Sequence, residues 1–213
     1  MKTGGKPDAI LFDAFSGLVL TFNGKSSNAT LIDPEKAVAV GTVALPGRPE
    51  TGVSDGKGKV FVNLEDKNLI AVIDVASRKV LATWPLAGCE EPTGLAFDVA
   101  NRRLFSGCHN GVLVVVDADS GRNVQKLAIG NGVDATAYDQ KTGLVFASNS
   151  EGNISVIQQQ GPDTYTALAN VATQPGAKTM ALDAVRHTVY SVANAAPDAS
   201  GKPGVFELIV VER

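Results

Sequence analysis

Two cysteines, two histidines and one tryptophan are all this chain offers of the residue types that most often hold metals, act as catalytic bases or stack on ligands. The cysteines and histidines show no CxxC or HxxxH spacing, so a zinc-type site is a poor reading. With two histidines and no GxSxG elbow, a hydrolytic triad is unsupported. No GxGxxG or Walker-type glycine loop marks a nucleotide site. Apolar runs stop well short of the roughly 18 residues of a membrane-spanning helix. The net charge of −3 argues against a nucleic-acid surface, which needs clustered Lys and Arg. The start, Met-Lys-Thr-Gly-Gly-Lys-Pro, lacks the apolar core of a secretion signal. No segment carries a convincing pair of helix start and stop signals.

Turn formers are plentiful. Gly contributes 22 residues and Pro 10, and Val, Thr and Ile crowd the apolar segments between them. That mixture predicts many short strands separated by tight turns. Strand-ending aspartates recur at Asp13, Asp55, Asp98, Asp139 and Asp183, spaced 42, 43, 41 and 44 residues apart. A second aspartate follows 19 or 20 residues later at Asp33, Asp74 and Asp117; Gln158 takes that place in the fourth unit, and an insertion distorts the fifth. In the third unit the strand-sized pieces are Thr93–Phe97, Arg102–Gly107, Val112–Val116 and Arg122–Ala128, separated by Asp-, Asn- and Gly-containing turns.

A four-stranded antiparallel unit of roughly 42 residues in tandem is the sequence form of a β-propeller blade. One blade cannot cover both of its apolar faces, so neighbours stack around an axis. The expected architecture is all-β, a single propeller over residues 1–213 with blades at about 8–45, 50–84, 93–128, 134–171 and 178–211. Lys2–Asp8 matches Ala44–Glu50, a junction between blades, so the chain is expected to begin inside a repeat and to be a truncated propeller. A closed five-bladed ring with a three-stranded last blade is the alternative.

Pro7-Asp-Ala-Ile, Gly47-Arg-Pro-Glu50, Val62-Asn-Leu-Glu65, Cys89-Glu-Glu-Pro-Thr-Gly94, Arg103-Leu-Phe-Ser-Gly-Cys108 and Gly176-Ala-Lys-Thr179 resemble the YncE-like, YVTN-repeat β-propeller family over nearly the whole chain. The resemblance implies a seven-bladed parent exported by bacteria, with no generally established enzymatic activity. About two N-terminal blades and the export signal would then lie outside this chain, and the full-length protein would be monomeric. Lys178 stands where relatives tend to carry Arg, which weakens a bidentate anion site there. Related propellers include lactonases and the N-terminal propeller of nitrous-oxide reductase, but no residue here matches their catalytic or copper-binding motifs.

Five residues before each repeat aspartate stand Asp8, Glu50, Thr93, Asp134 and Lys178. Innermost strands line the channel of a propeller, so these side chains are expected to ring one mouth of it. Three carboxylates, a hydroxyl and an ammonium there suit a polar small molecule, a charged peptide or a divalent cation; the competing reading is a wet channel lined by turn-capping residues. His109 is expected in a turn on the same face, as a ligand or as an ordinary exposed histidine, and His187 as structural. The aspartate series recurs in every blade and reads as turn chemistry. Cys89 and Cys108 fall at the same edge of an antiparallel pair, which suits a disulfide and an oxidising compartment, periplasmic or extracellular. Buried free thiols and a soft-metal site are the alternatives. No catalytic residue is assigned. The functional expectation is a binding propeller acting at its channel mouth; the alternative is a cation-assisted hydrolase of the lactonase type, which requires three or more oxygen ligands on one point.

Overall fold

The computed structural model describes residues 1–194 and 204–212. Five antiparallel sheets follow one another along the chain. The first holds β1 (Pro7–Asp13), β2 (Leu18–Asn23), β3 (Asn28–Asp33) and β4 (Val38–Ala44). The second holds β5 (Pro49–Ser54), β6 (Lys59–Leu64), β7 (Leu69–Asp74) and β8 (Lys79–Pro85). The third holds β9 (Pro92–Asp98), β10 (Arg103–Cys108), β11 (Val112–Asp117) and β12 (Asn123–Ala128). In the fourth, β13 (Val133–Asp139), β14 (Leu144–Asn149) and β15 (Asn153–Gly161) are edged by two short strands, β16 (Thr164–Ala167) and β17 (Val171–Ala172). The fifth has β18 (Met180–Asp183), β19 (Thr188–Asn194) and β20 (Phe206–Val211). The propeller expected from the repeat is therefore the fold. Among the described residues the helical segments are two single 3-10 turns, Gly24–Ser26 and Glu65–Lys67. The insertion expected in the fifth unit falls largely outside the described residues.

Alternation along each middle strand sends successive side chains to different neighbours. In β6, Val60, Val62 and Leu64 join Leu20, Phe22 and Leu31 in the core between blades one and two. Phe61 points the other way and packs with Leu95, Phe97 and Leu104 in the core between blades two and three. Strands such as β6 and β11 are buried on both faces, and β11 reads as a continuous apolar run from Val112 to Val116, whereas β8 alternates between exposed and half-buried. That contrast follows from stacking: a middle strand has a blade on each side, an outer strand meets water.

The innermost strands pack in order, β1 on β5, β5 on β9, β9 on β13 and β13 on β18. Among the described residues β18 and β1 make no comparable packing. The outward faces at the two ends of this series are apolar and open: Ile10 and Phe12 are 73% and 58% exposed, Phe206 and Leu208 66% and 61%.

The repeat aspartates turn the chain as expected. Asp98 accepts hydrogen bonds from the backbone N–H of Ala100 and Asn101, and Asp139 from that of Lys141. Four of the five also do something the spacing alone does not reveal, since each meets a side chain of the next blade. Asp13 accepts from Ser54 Oγ at 2.5 Å, Asp55 faces Arg102 Nη1 at 3.6 Å, Asp98 accepts from Gln159 Nε2 at 2.9 Å, and Asp139 meets His187 Nδ1 at 2.6 Å. Asp183, in the last blade, bonds within its own turn.

Candidate functional site at the channel mouth

Asp8, Glu50, Thr93 and Asp134 stand at or next to the first residue of β1, β5, β9 and β13, and Lys178 stands two residues before β18. All five therefore lie at the same end of the innermost strands. That end also carries the turns joining the second and third strands of each blade, including Glu65 and His109.

The five side chains fall into local groups. Lys178 Nζ lies 3.6 Å from Asp134, whose other oxygen accepts from Thr179 Oγ1 at 2.8 Å. Lys6 Nζ lies 3.5 Å from Asp8. Thr93 turns its hydroxyl onto the Glu91 carbonyl at 3.2 Å, and Glu91 in turn meets His109 Nδ1 at 3.1 Å. Glu50 is the exception. It is half-buried beside the Glu65 carboxyl group, with Asp8 near enough to repel it. Burial is the largest cause, and the contact with Glu65 the next, of a Glu50 carboxyl pushed up to about 7. Glu65 is held on its other side by Arg48, with Nε 2.7 Å from Oε2. Glu50 is thus an acid of this ring whose charge changes near neutral pH.

Backbone geometry fixes the approach of the blades here. A Cβ on Gly94, beside Thr93, would stand 2.5 Å from Thr136 Oγ1 and 2.6 Å from the Thr136 backbone nitrogen. Only glycine allows β9 to run this close to β13. Cys89 and Cys108 form a disulfide with their Cα atoms 5.5 Å apart, and no free cysteine remains. The free-thiol and soft-metal readings therefore fall away. The bond pins the segment entering blade three to the end of β10, just before His109.

Among the described residues no three His, Cys, Asp or Glu side chains converge where a metal ion could be held. The donor set required by the hydrolase alternative is not assembled. His109 is exposed at the mouth, with Glu91 as its side-chain partner. His187 lies away from the mouth and bonds across a blade seam, in keeping with its expected structural role. Glu65, Glu91 and Arg48 are the mouth residues that alignment on the repeat did not select. They come from turns whose sequences differ from blade to blade.

No family model matches the chain, and no curated protein matches it by sequence. Solved structures do resemble it in fold. A chain of Kuenenia stuttgartiensis hydrazine synthase superposes with a TM-score of 0.80 at 13% identity, covering 100% of this chain and 64% of that one. A functionally unknown protein from Desulfotomaculum acetoxidans DSM 771 gives 0.77 at 13% identity, covering 100% and 77%. This chain thus spans less than two thirds of the hydrazine synthase chain. At such identity the likeness shows the fold alone, a β-propeller. No helix among the described residues is long and apolar enough to cross a membrane.

Proposed function

We propose that this protein is an exported, YncE-like binding propeller that recognises a positively charged ligand or peptide segment at its channel mouth, without catalysis by its own residues. The observation that carries the reading is Glu50: a half-buried carboxyl group at the mouth, flanked by Glu65 and Asp8. Among the described residues, Lys6 is already at Asp8 and Arg48 already on Glu65. An incoming ammonium supplies the counter-charge that this group lacks. Export is supported by the Cys89–Cys108 bond, because structural disulfides persist in oxidising compartments.

The test is a titration of the 213-residue protein with tetralysine, followed by calorimetry at low and at physiological salt. The reading expects saturable binding that weakens with salt. It also expects a loss of about five-fold or more in Glu50→Gln, in line with a charge-assisted bond of roughly 1–3 kcal/mol, and a smaller loss in Asp134→Asn. Equal affinity of wild type and Glu50→Gln for tetralysine would sink it.

A further inference from the structure

The seam between blades four and five holds a cavity of about 220 Å³ at the opposite end of β13 from the mouth. Its origin is a break in the outer edge of blade four. Elsewhere one continuous outer strand covers the blade, as β8 and β12 do. Here β16 pairs with β15 over Ile157–Gly161, the Leu168 N–H still bonds the Val156 carbonyl at 2.8 Å, and β17 pairs with Asn153 and Ile154, leaving only Ala169 and Asn170 between the two pairings. Beside this gap the buried Phe146 and Val156 line the cavity toward blade five, where Val189 and Val211 form the facing wall and Leu168 lies at the rim. For scale, an apolar cavity of about 150 Å³ is enough to hold benzene.

The polar end of the cavity is made by Asp139, Thr142 and His187. Asp139 is buried and accepts from Thr142 Oγ1 at 2.8 Å and from the Lys141 backbone at 3.0 Å. A carboxylate so engaged only accepts, so His187 Nδ1 must carry the proton of their 2.6 Å contact. In the neutral ring Nε2 is then an acceptor, and it has no hydrogen-bond partner among the described residues. Glu212, the other polar group on the rim, also accepts. A cation would lose its hydration here with no uncommitted buried counter-charge, and an anion would face two acceptors.

We propose that this cavity is a second binding site, for a small neutral molecule with an apolar body and a hydroxyl head that donates to His187 Nε2. It is independent of the channel mouth and of any ligand there. The hydroxyl supplies orientation, and the apolar walls supply the burial that drives binding.

The probes are 4-ethylphenol and ethylbenzene, titrated into the 213-residue protein by NMR, with shift perturbations locating the site. The phenol is expected to saturate a single site at the blade four–five seam and to bind about five-fold more tightly than ethylbenzene, the worth of one net hydrogen bond. Leu168→Trp, at a half-exposed position tolerant of a large side chain, is expected to abolish binding of both probes by filling the entrance. His187→Lys can keep an N–H donor on Asp139 while presenting no acceptor to the cavity, and is expected to bring the phenol down to the affinity of ethylbenzene. Three results overturn the proposal: no saturable binding of the phenol, binding that survives Leu168→Trp, or equal affinity of the two probes for wild type. If His187→Lys does not fold, the wild-type contrast and Leu168→Trp still decide.

Discussion

At the scale of residues, the repeat aspartates carry two duties that the same carboxylate can serve because it has several acceptor positions. Asp98 takes two backbone N–H groups of its own turn, the Asn101 side chain and the Gln159 amide of the next blade. Burial pushes its carboxyl up, but the bonds from Gln159 and Asn101 outweigh that and hold it below the ordinary 3.8. Asp139 behaves alike: burial raises it, while Thr142, the Lys141 backbone and His187 pull it down. A folded-state value depressed below the unfolded one gives stability that is present above about pH 4 and is lost as pH falls through the folded value. The midpoint temperature should therefore be flat from pH 7 to 5 on account of these groups and drop below pH 4. Asp98→Asn should blunt that drop and cost about 2 kcal/mol at pH 7, typical of bonds to a charged group, as measured by urea unfolding. A variant as stable as wild type would show that the bond to the next blade contributes nothing.

At the scale of elements, the register of β9 against β10 explains why the cysteine pair could be anticipated. Cys108 lies opposite Pro92, so the segment three residues earlier is carried to the same edge. The bond closes a loop with a sequence separation of 19 and should be worth about 3 kcal/mol. Cys89→Ser with Cys108→Ser should lower the unfolding free energy by about that amount; equal stability of the double variant and wild type would contradict it. Gly94→Ala should be destabilising by about 1–3 kcal/mol, since its Cβ meets the backbone of β13 and not the end of a flexible side chain.

The blade itself was legible in the sequence because its signals are local: an aspartate that turns the chain, and alternation that sends Val60 and Phe61 to different cores. The contacts between blades were not. Ser54, Arg102, Gln159 and His187 do one job with four different side chains, so no repeated letter marks it. The positions of the mouth residues followed from the repeat, but the partner of Glu50 did not, because Glu65 sits in a turn rather than at a repeat-aligned strand position. The seam cavity was invisible for a related reason. It depends on an outer strand that breaks at Ala169 and Asn170, in a stretch whose residues suit a strand as well as they suit its interruption.

At the scale of the whole molecule, blades are stabilised by their neighbours, so stability should fall toward the ends of the series. Hydrogen exchange should find the strongest protection in β7, β10 and β11, which are buried on both faces, and much weaker protection in β1 and β20, whose outward faces expose Ile10, Phe12, Phe206 and Leu208. Uniform protection across all five blades would mean that those faces are covered in solution.

The claim on which the functional account rests is that Glu50 is the charge-changing acid of the mouth, with a carboxyl near 7. Its ionised form is the one a cation prefers, so the affinity for tetralysine should rise several-fold between pH 6 and pH 8 in wild type. Glu50→Gln, which leaves the other mouth side chains in place, serves as the reference. The direct measurement is the pH dependence of tetralysine affinity in both proteins. The account predicts a rise through pH 7 in wild type that is largely lost in Glu50→Gln; parallel curves for the two proteins would contradict it.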